Sequence, residues 1–219
     1  MKKITIITGH YGSGKTNFAV NLAFKAAAEG RSVTVVDLDI VNPYFRTADF
    51  KDLFEKNNIR LVAPDYANTN IDIPALSFDV EQLAASSDCL IIDVGGDDAG
   101  ATALGRYAES LLKYGNDLDM LYVINQRRYL TSSTDEVVEL MYEIEAAARM
   151  KHTAVVNNTN LGNETTHEIV EASEEFAAKT AEAVGLPVMY TTCPEEIAEL
   201  CEIEDIFPVK IYVKPLWEQ

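Results

Sequence analysis

Gly9-His10-Tyr11-Gly12-Ser13-Gly14-Lys15-Thr16 follows directly on Ile4-Thr5-Ile6-Ile7-Thr8, and the reading of this stretch decides the fold. Ile4, Ile6 and Ile7 form a short β-rich run that ends in a glycine-rich loop. Phe18, Val20, Leu22, Phe24 and Ala27 then recur at helical intervals, with Gly30 as a stop. The octet satisfies G-x-x-x-x-G-K-[ST], in which glycines let backbone N–H groups converge on phosphate oxygens that a β-carbon would keep away. Lys15 supplies mobile positive charge to the β and γ phosphates. Thr16 opens the helix, where its hydroxyl is suited to Mg²⁺ and the helix N-terminus adds favourable partial charge.

Working outward, further apolar strands are predicted at 33–36, 90–92, 120–124, 153–156 and 187–190, and helices at about 135–149, 164–184 and 195–201. Strands of continuous apolar character alternating with helices predict an α/β fold, a doubly wound, mostly parallel sheet sandwiched by helices, with ligands at the carboxyl ends of the strands. At 219 residues the expectation is a single nucleotide-binding domain over 1–219. Residues 65–74 read as a turn-rich surface excursion. No G-x-G-x-x-G occurs, so a dinucleotide fold has no support.

Charge narrows the partners. Eighteen Lys and Arg stand against 35 acidic residues, a net charge of −17, which repels nucleic acid and anionic bilayers at long range. Within 136–205 lie 16 acidic residues and only Arg149, Lys151 and Lys179 as bases, read as solvated helix faces, with a docking face for a basic partner as the alternative. Cys89, Cys193 and Cys201 show no CxxC or CxC spacing, which points away from a disulfide framework or zinc knuckle and toward a reducing, cytoplasmic setting. The apolar stretch after Lys2 and Lys3 is too short for a signal sequence or membrane span.

A Mg²⁺–nucleotide site needs carboxylates at the same sheet edge, because Mg²⁺ prefers oxygen ligands and keeps several waters. Two predicted strands each run into an aspartate, Asp37 and Asp93. In Asp93-Val94-Gly95-Gly96 the glycines would let the loop approach a γ-phosphate and move when it leaves. Asp39 is placed to hold an attacking water in line, work that needs positioning rather than covalent chemistry. Val155-Val156-Asn157-Asn158-Thr159-Asn160 ends a strand in amides, which carry both donor and acceptor and so suit a purine edge. A guanine-reading N-K-x-D would have lysine and aspartate where Asn158 and Asn160 stand, so ATP is preferred over GTP.

With Val35-Val36-Asp37-Leu38-Asp39 the chain resembles the CobQ/CobB, MinD/ParA and nitrogenase-iron-protein assemblage of P-loop NTPases, the SIMIBI class, over most of its length. The resemblance implies that Lys15 and Asp39 are catalytic, that Thr16, Asp37 and Asp93 serve the Mg²⁺ shell, and that Asn157 faces the base. It implies nucleotide contacts from Gly9, Gly12, Ser13, Gly14, Lys15, Thr16 and Asn17, with Pro194 of Thr192-Cys193-Pro194-Glu195 bordering the base. The family's K-G-G-x-G-K-[TS] departs here, because His10 replaces the lysine that crosses a dimer and Tyr11 the next glycine. A histidine titrating near neutrality offers a partial substitute or is a plain loop residue, and His10 is given no catalytic role. Arg127 and Arg128, after a core strand, are the other candidate cations.

The reading that follows is an ATP- and Mg²⁺-dependent switch with ATPase activity, acting on a protein partner or as a homodimer. Two alternatives stay open. One is a small-molecule ligase of the dethiobiotin synthetase or cobyrinic-amidation kind, with Arg127, Arg128, Tyr129 and Thr131 lining an acceptor pocket. The other is metal-cofactor maturation, which the spacing of Cys193 and Cys201 does not favour. Pro208 and Pro215 argue against a membrane-binding amphipathic helix over 207–219.

Overall fold

The run ahead of the glycine loop is a buried strand, Ile4–Thr8 (β1), and it leads into helix Lys15–Ala28 (α1). In the computed structural model, which describes residues 1–39, 47–63, 78–128 and 131–213, strands and helices then alternate. They are Val33–Leu38 (β2), Lys51–Lys56 (α2), Ile59–Val62 (β3), Val80–Ala85 (α3), Cys89–Val94 (β4), Asp98–Gly105 (α4) and Ala108–Leu112 (α5). Leu118–Ile124 (β5), Thr134–Ala148 (α6), Ala154–Asn157 (β6), His167–Ala172 (α7), Glu174–Val184 (α8), Val188–Pro194 (β7) and Ile206–Val209 (β8) complete the series. The strands form one sheet in the order β3-β2-β4-β1-β5-β6-β7-β8. Every neighbouring pair is parallel, so the sheet is wholly rather than mostly parallel among the described residues.

Burial on both faces explains the composition of the strands. β1, β2, β4 and β5 are buried at every position. Period-two alternation sorts their side chains, so that Val33, Val35 and Ile91 meet Phe18, Leu22 and Ala26 of α1, whereas Val36, Leu90 and Ile92 meet Leu83, Leu104 and Leu111 on the other face. Under α6 and α8, Tyr122, Ile124 and Val155 pack with Val137, Met141 and Phe176. β1 lies between β4 and β5, with β2 and β6 beyond them on opposite sides. The loop leaving β1 therefore opens at the point where the strand order reverses, which is where open α/β sheets hold ligands.

Several elements depart from the predictions. The helix expected over 164–184 breaks at Ser173 into α7 and α8, because the buried Ser173 hydroxyl donates to Val170 O at 2.6 Å instead of letting one helix run through. Only a single 3-10 turn, Ala198–Leu200, forms where a helix was expected at 195–201. β3 and β8 were not foreseen; both are four-residue edge strands with half-exposed positions. β8 tolerates Pro208 because an edge strand needs only one ladder side, and Pro208 faces Cys193 of β7 with its other side open. The excursion predicted at 65–74 lies outside the described residues. Among those described, no helix is long and apolar enough to cross a membrane.

One buried polar chain fastens the strand that carries the loop. His152 Nε2 lies 2.8 Å from the Thr8 hydroxyl, and His152 Nδ1 lies 3.2 Å from Glu145 Oε1 on α6. Burial pushes the His152 pKa down, so the ring is neutral at pH 7. With its proton on Nδ1 toward Glu145, Nε2 accepts from Thr8. Burial alone would raise the Glu145 pKa, but bonds from the His152 ring, Lys151 and the His152 N–H outweigh it and hold the carboxyl at about 2.

A folded pKa below the ordinary 4.5 stabilises the fold above about pH 4.5, and that stabilisation disappears as pH falls toward 2. Glu145→Gln is therefore expected to unfold more readily than wild type at pH 7, by roughly 1 to 3 kcal/mol, the worth of hydrogen bonds to a buried charge. The gap should close in urea titrations carried out near pH 2.5. An equal gap at both pH values would contradict the ionised network.

Candidate functional site

The loop between β1 and α1 is shaped by local geometry. Gly9, Gly12 and Gly14 all adopt positive φ, and Ser13 N donates to His10 O at 3.1 Å, turning the chain back on itself. Gly14 caps α1 in the left-handed region at φ 89, and a Cβ there would strike the Asn158 side-chain amide, so no other residue fits. Asn158 in turn donates to Ser13 O at 2.6 Å and accepts from the Thr192 hydroxyl at 2.5 Å, tying the loop to the ends of β6 and β7. Lys15, the first helical residue, is 7% exposed, and its Nζ folds back to donate to His10 O at 3.2 Å. Burial lowers its pKa while Asp93, Asp39 and Asp97 oppose that shift. Gly96 lies against it, since a Cβ at that position would come 2.7 Å from Lys15 Nζ and 2.8 Å from the Tyr11 backbone.

The acidic residues gather one strand away. Asp37 and Asp93 are register partners on β2 and β4, both fully buried. Asp37 accepts from Asp39 N at 3.0 Å and Ala48 N at 2.9 Å, so its two oxygens anchor the chain on either side of 40–46. Burial, then the nearby Asp93 charge, raises its pKa to about 7. Asp93 Oδ2 accepts from the Thr47 hydroxyl at 2.5 Å. Burial raises Asp93 to about 6, against the pull of Thr47, Lys15 and the Thr16 hydroxyl. Asp93 Oδ1 is left buried with no partner of hydrogen-bonding geometry.

That atom belongs to a pattern. Among the described residues three buried side-chain polar atoms lack a partner, Ser13 Oγ, Asp93 Oδ1 and Asn125 Nδ2, and all three sit at the carboxyl edge beside the loop. Orphaned polar atoms are rare in native cores, and a cluster at one edge marks where a polar ligand completes the structure. For Mg²⁺, oxygen donors from Thr16 and Asp93 suit a hard cation. No group of three His, Cys, Asp or Glu side chains among the described residues could hold an ion alone.

A cavity of about 660 Å³ opens over this edge. Of the residues predicted from sequence, Gly12, Gly14, Lys15, Thr16, Asn17, Asp39 and Pro194 line it, whereas Gly9, Ser13, Asp37 and Asp93 do not. Asn17 spends its amide on Lys210 O, at 3.1 Å, and on Tyr212 N, at 2.8 Å, which straps the segment after β8 across α1 and brings Ile211 and Val213 into the lining.

One expectation departs from the geometry. Asn157 is fully buried and does not face the cavity; its Nδ2 donates to Ser173 Oγ at 2.8 Å and its Oδ1 accepts from Thr159 N at 3.2 Å. Asn158 and Asn160 reach the lining in its place. Burial and then the Lys15 charge lower the His10 pKa below the ordinary value, which favours the loop-residue reading of His10 over that of a substitute cation.

Arg127 and Arg128 line the cavity, exposed and without a hydrogen bond or ion pair to their guanidinium groups among the described residues. Arg128 Nε lies 3.7 Å from where a Cβ on Gly12 would stand, directly above the loop. Thr131 is buried, donating to Asn125 O at 2.8 Å, and takes no part in the lining; Tyr129 lies outside the described residues. Thr47 and Leu161 went unforeseen as site residues. Each reaches the site through a contact remote in sequence, as Thr47 and Asp93 do across 46 positions.

A search of the curated proteins found no match. Among solved structures, FtsY from Thermotoga maritima superposes with a TM-score of 0.62 at 20% identity over 94% of this chain and 65% of its own. FtsY from Mycoplasma mycoides gives 0.58 at 20% identity, over 85% and 58%. The signal recognition particle 54 kDa protein from Aeropyrum pernix K1, in complex with GDP, gives 0.54 at 18%, over 84% and 40%. The chain thus spans less than two thirds of the length of these structures, and the likeness is one of fold. The model of the CobQ/CobB/MinD/ParA nucleotide binding domain matches residues 4–186, from the first residue of β1 to just past α8. With most of its length matched and the glycine loop and the paired aspartates inside that match, the chain belongs to the CobQ/CobB/MinD/ParA nucleotide-binding domain family.

Proposed function

We propose that the chain binds ATP with Mg²⁺ and hydrolyses it, and that a protein partner reads the difference between the triphosphate and diphosphate states. The observation that carries this reading is the convergence of Lys15, Thr16, Asp39 and Gly96 on one end of a single cavity. Main-chain N–H groups of 12–16 hold the phosphates, and Lys15 neutralises the β and γ oxygens. Thr16 and, through water, Asp93 would hold Mg²⁺, which supplies charge neutralisation across the β and γ phosphates when bound. Asp37 works behind them, its carboxylate fixing the backbone of Asp39 and Ala48.

Asp39 accepts a proton-side hydrogen bond from water and sets it in line with the γ-phosphorus. The P–O bond to the leaving diphosphate breaks as the water oxygen bonds, and the proton leaves with inorganic phosphate or to solvent. Arg128 of the same chain stands in for the lysine that His10 replaces. Turnover per molecule should then stay constant as protein concentration rises; a climbing rate would instead indicate that a second copy completes the site. When the γ-phosphate departs, the Asp39 and Gly96 loops lose what holds them, and that change is the signal.

For the base, Leu161, Pro194, Val209 and Ile211 give the cavity an apolar part of its lining. Asn158 and Asn160 stand where a guanine reader needs lysine and aspartate, and both amides are already committed, Asn160 to Asn158 O at 2.7 Å and Gly162 N at 3.1 Å. The carboxylate in that part of the lining is Glu164, four positions past Asn160 and outside the spacing of a guanine-reading motif. The expected calorimetric result is ATP binding at least tenfold tighter than GTP, each requiring Mg²⁺ for full affinity. Equal or reversed preference would overturn the adenine assignment, and heat from neither nucleotide would overturn the whole reading.

A second reading has one observation in its favour. Arg127 and Arg128 line the cavity with guanidinium groups that have no hydrogen bond or ion pair among the described residues, a setting suited to the carboxylate of a small acceptor that would take the phosphoryl group. Phosphate release that required one carboxylic acid would favour this ligase over the switch.

A further inference from the structure

The two thiols that sequence spacing held apart meet in space. Cys193 Sγ and Cys201 Sγ are 3.3 Å from each other, one at the buried end of β7 and the other, partly exposed, just past the 198–200 turn. Cys193 stands between Thr192 and Pro194, which both line the cavity, and Thr192 holds the Asn158 side chain that in turn holds the phosphate loop. The next backbone bond, Glu195 N to Val209 O at 3.0 Å, joins the same corner to β8. A disulfide needs sulfurs about 2.05 Å apart, so closure here asks for a movement on the order of 1 Å.

We propose that Cys193 and Cys201 are a reversible redox pair, closed to a disulfide by exchange with a low-molecular-weight disulfide of the glutathione type, and that closure weakens nucleotide binding at the adjoining wall. The second half of this proposal rests on the ATP-binding reading above; the first half does not.

The order of steps follows from exposure. Cys201 is the accessible thiol, and as thiolate it attacks glutathione disulfide, forming a mixed disulfide and releasing one glutathione thiolate. Cys193 then loses its proton and attacks the Cys201 sulfur, releasing the second glutathione. Two protein thiols are oxidised, one glutathione disulfide is reduced to two thiols, and both protons leave with them. Burial, then the bond to Cys201, raises the Cys193 pKa to about 12, which makes the second attack the slower one and keeps Cys193 from reacting first. Cys89, buried at the start of β4, takes no part.

Closure draws the 198–201 turn onto the end of β7, and the strain passes to Thr192, Pro194 and the Glu195–Val209 bond. The cavity wall moves with them.

The experiment incubates full-length protein with glutathione disulfide, then alkylates under denaturing conditions and weighs the product. The expected result is loss of two hydrogen masses, one alkylated cysteine at position 89, and a cross-linked peptide joining 193 to 201. A stable glutathione adduct at Cys201, or three alkylated thiols, would overturn the pair. Calorimetry with Mg²⁺ and ATP on reduced and oxidised protein should show affinity lower in the oxidised form by about fivefold or more, a modest coupling between sites. Cys201→Ser should bind as reduced wild type does and ignore the oxidant. A disulfide that forms without changing affinity would overturn the coupling alone. Reduced protein that binds no ATP would overturn the nucleotide reading, while the mass result would still decide the redox pair.

Discussion

Lys15→Ala is expected to lower affinity for Mg²⁺–ATP by 10²-fold to 10³-fold, on the order of 3 to 4 kcal/mol, measured by calorimetry. Hydrogen bonds from a buried cation to phosphate oxygens are worth roughly twice neutral ones, and Lys15 is the cation buried at the loop. The loss has a second component. Asp39, Asp93 and Asp97 all act on the Lys15 ammonium, and without it they face the triphosphate uncompensated. Arg128 is exposed, so water and salt screen it, and its removal should cost about a tenth of that affinity change. Lys15→Ala protein should still fold, since deleting a desolvated charge relieves a burial cost even as it leaves carboxylates behind. Near wild-type affinity in folded Lys15→Ala protein would remove the foundation of the proposed function.

How much of this was legible in the sequence depends on how local each device is. The glycine loop carries its chemistry in eight consecutive residues, so strand, turn and helix could be read together, and the aspartates ending β2 and β4 followed from strands buried on both faces. Asn157 shows where that reading stops. An amide at a strand end suits a purine, but it suits a buried serine equally, and its partner Ser173 lies 16 residues on, at a helix break that periodicity did not reveal. The same distance hid Thr47 from Asp93. The cysteines were eight apart, too far for a metal-binding spacing, until the turn between β7 and β8 folded them together. β3 and β8 escaped notice because edge strands bury less and so carry weaker patterns, and Pro208 pointed away from a strand.

Asp39→Ala separates binding from chemistry. Asp39 lines the cavity at the phosphate end, its backbone N–H held by Asp37 and its carboxylate near Gly95, where a Cβ would stand 3.1 Å from Oδ1. A carboxylate in that position repels a bound triphosphate and contributes nothing to ground-state affinity. Its contribution appears only when water must be aligned, so its loss should lower the turnover rate by 10²-fold to 10⁴-fold, the usual worth of a positioned acid–base or water-orienting group. Affinity for Mg²⁺–ATP should stay the same or rise, because a like charge has been removed. The pattern of falling kcat with unchanged or tighter binding marks an interaction used in the transition state alone. It also sets Asp39 apart from Lys15, whose replacement should lower both quantities. Single-turnover phosphate release with protein in excess over ATP reads the chemical step directly. If Asp39→Ala hydrolyses at the wild-type rate while Lys15→Ala fails to bind, the nucleotide site stands, and the water must be held by another group at the same sheet edge, with Asp93 and Asp97 the remaining carboxylates acting on Lys15.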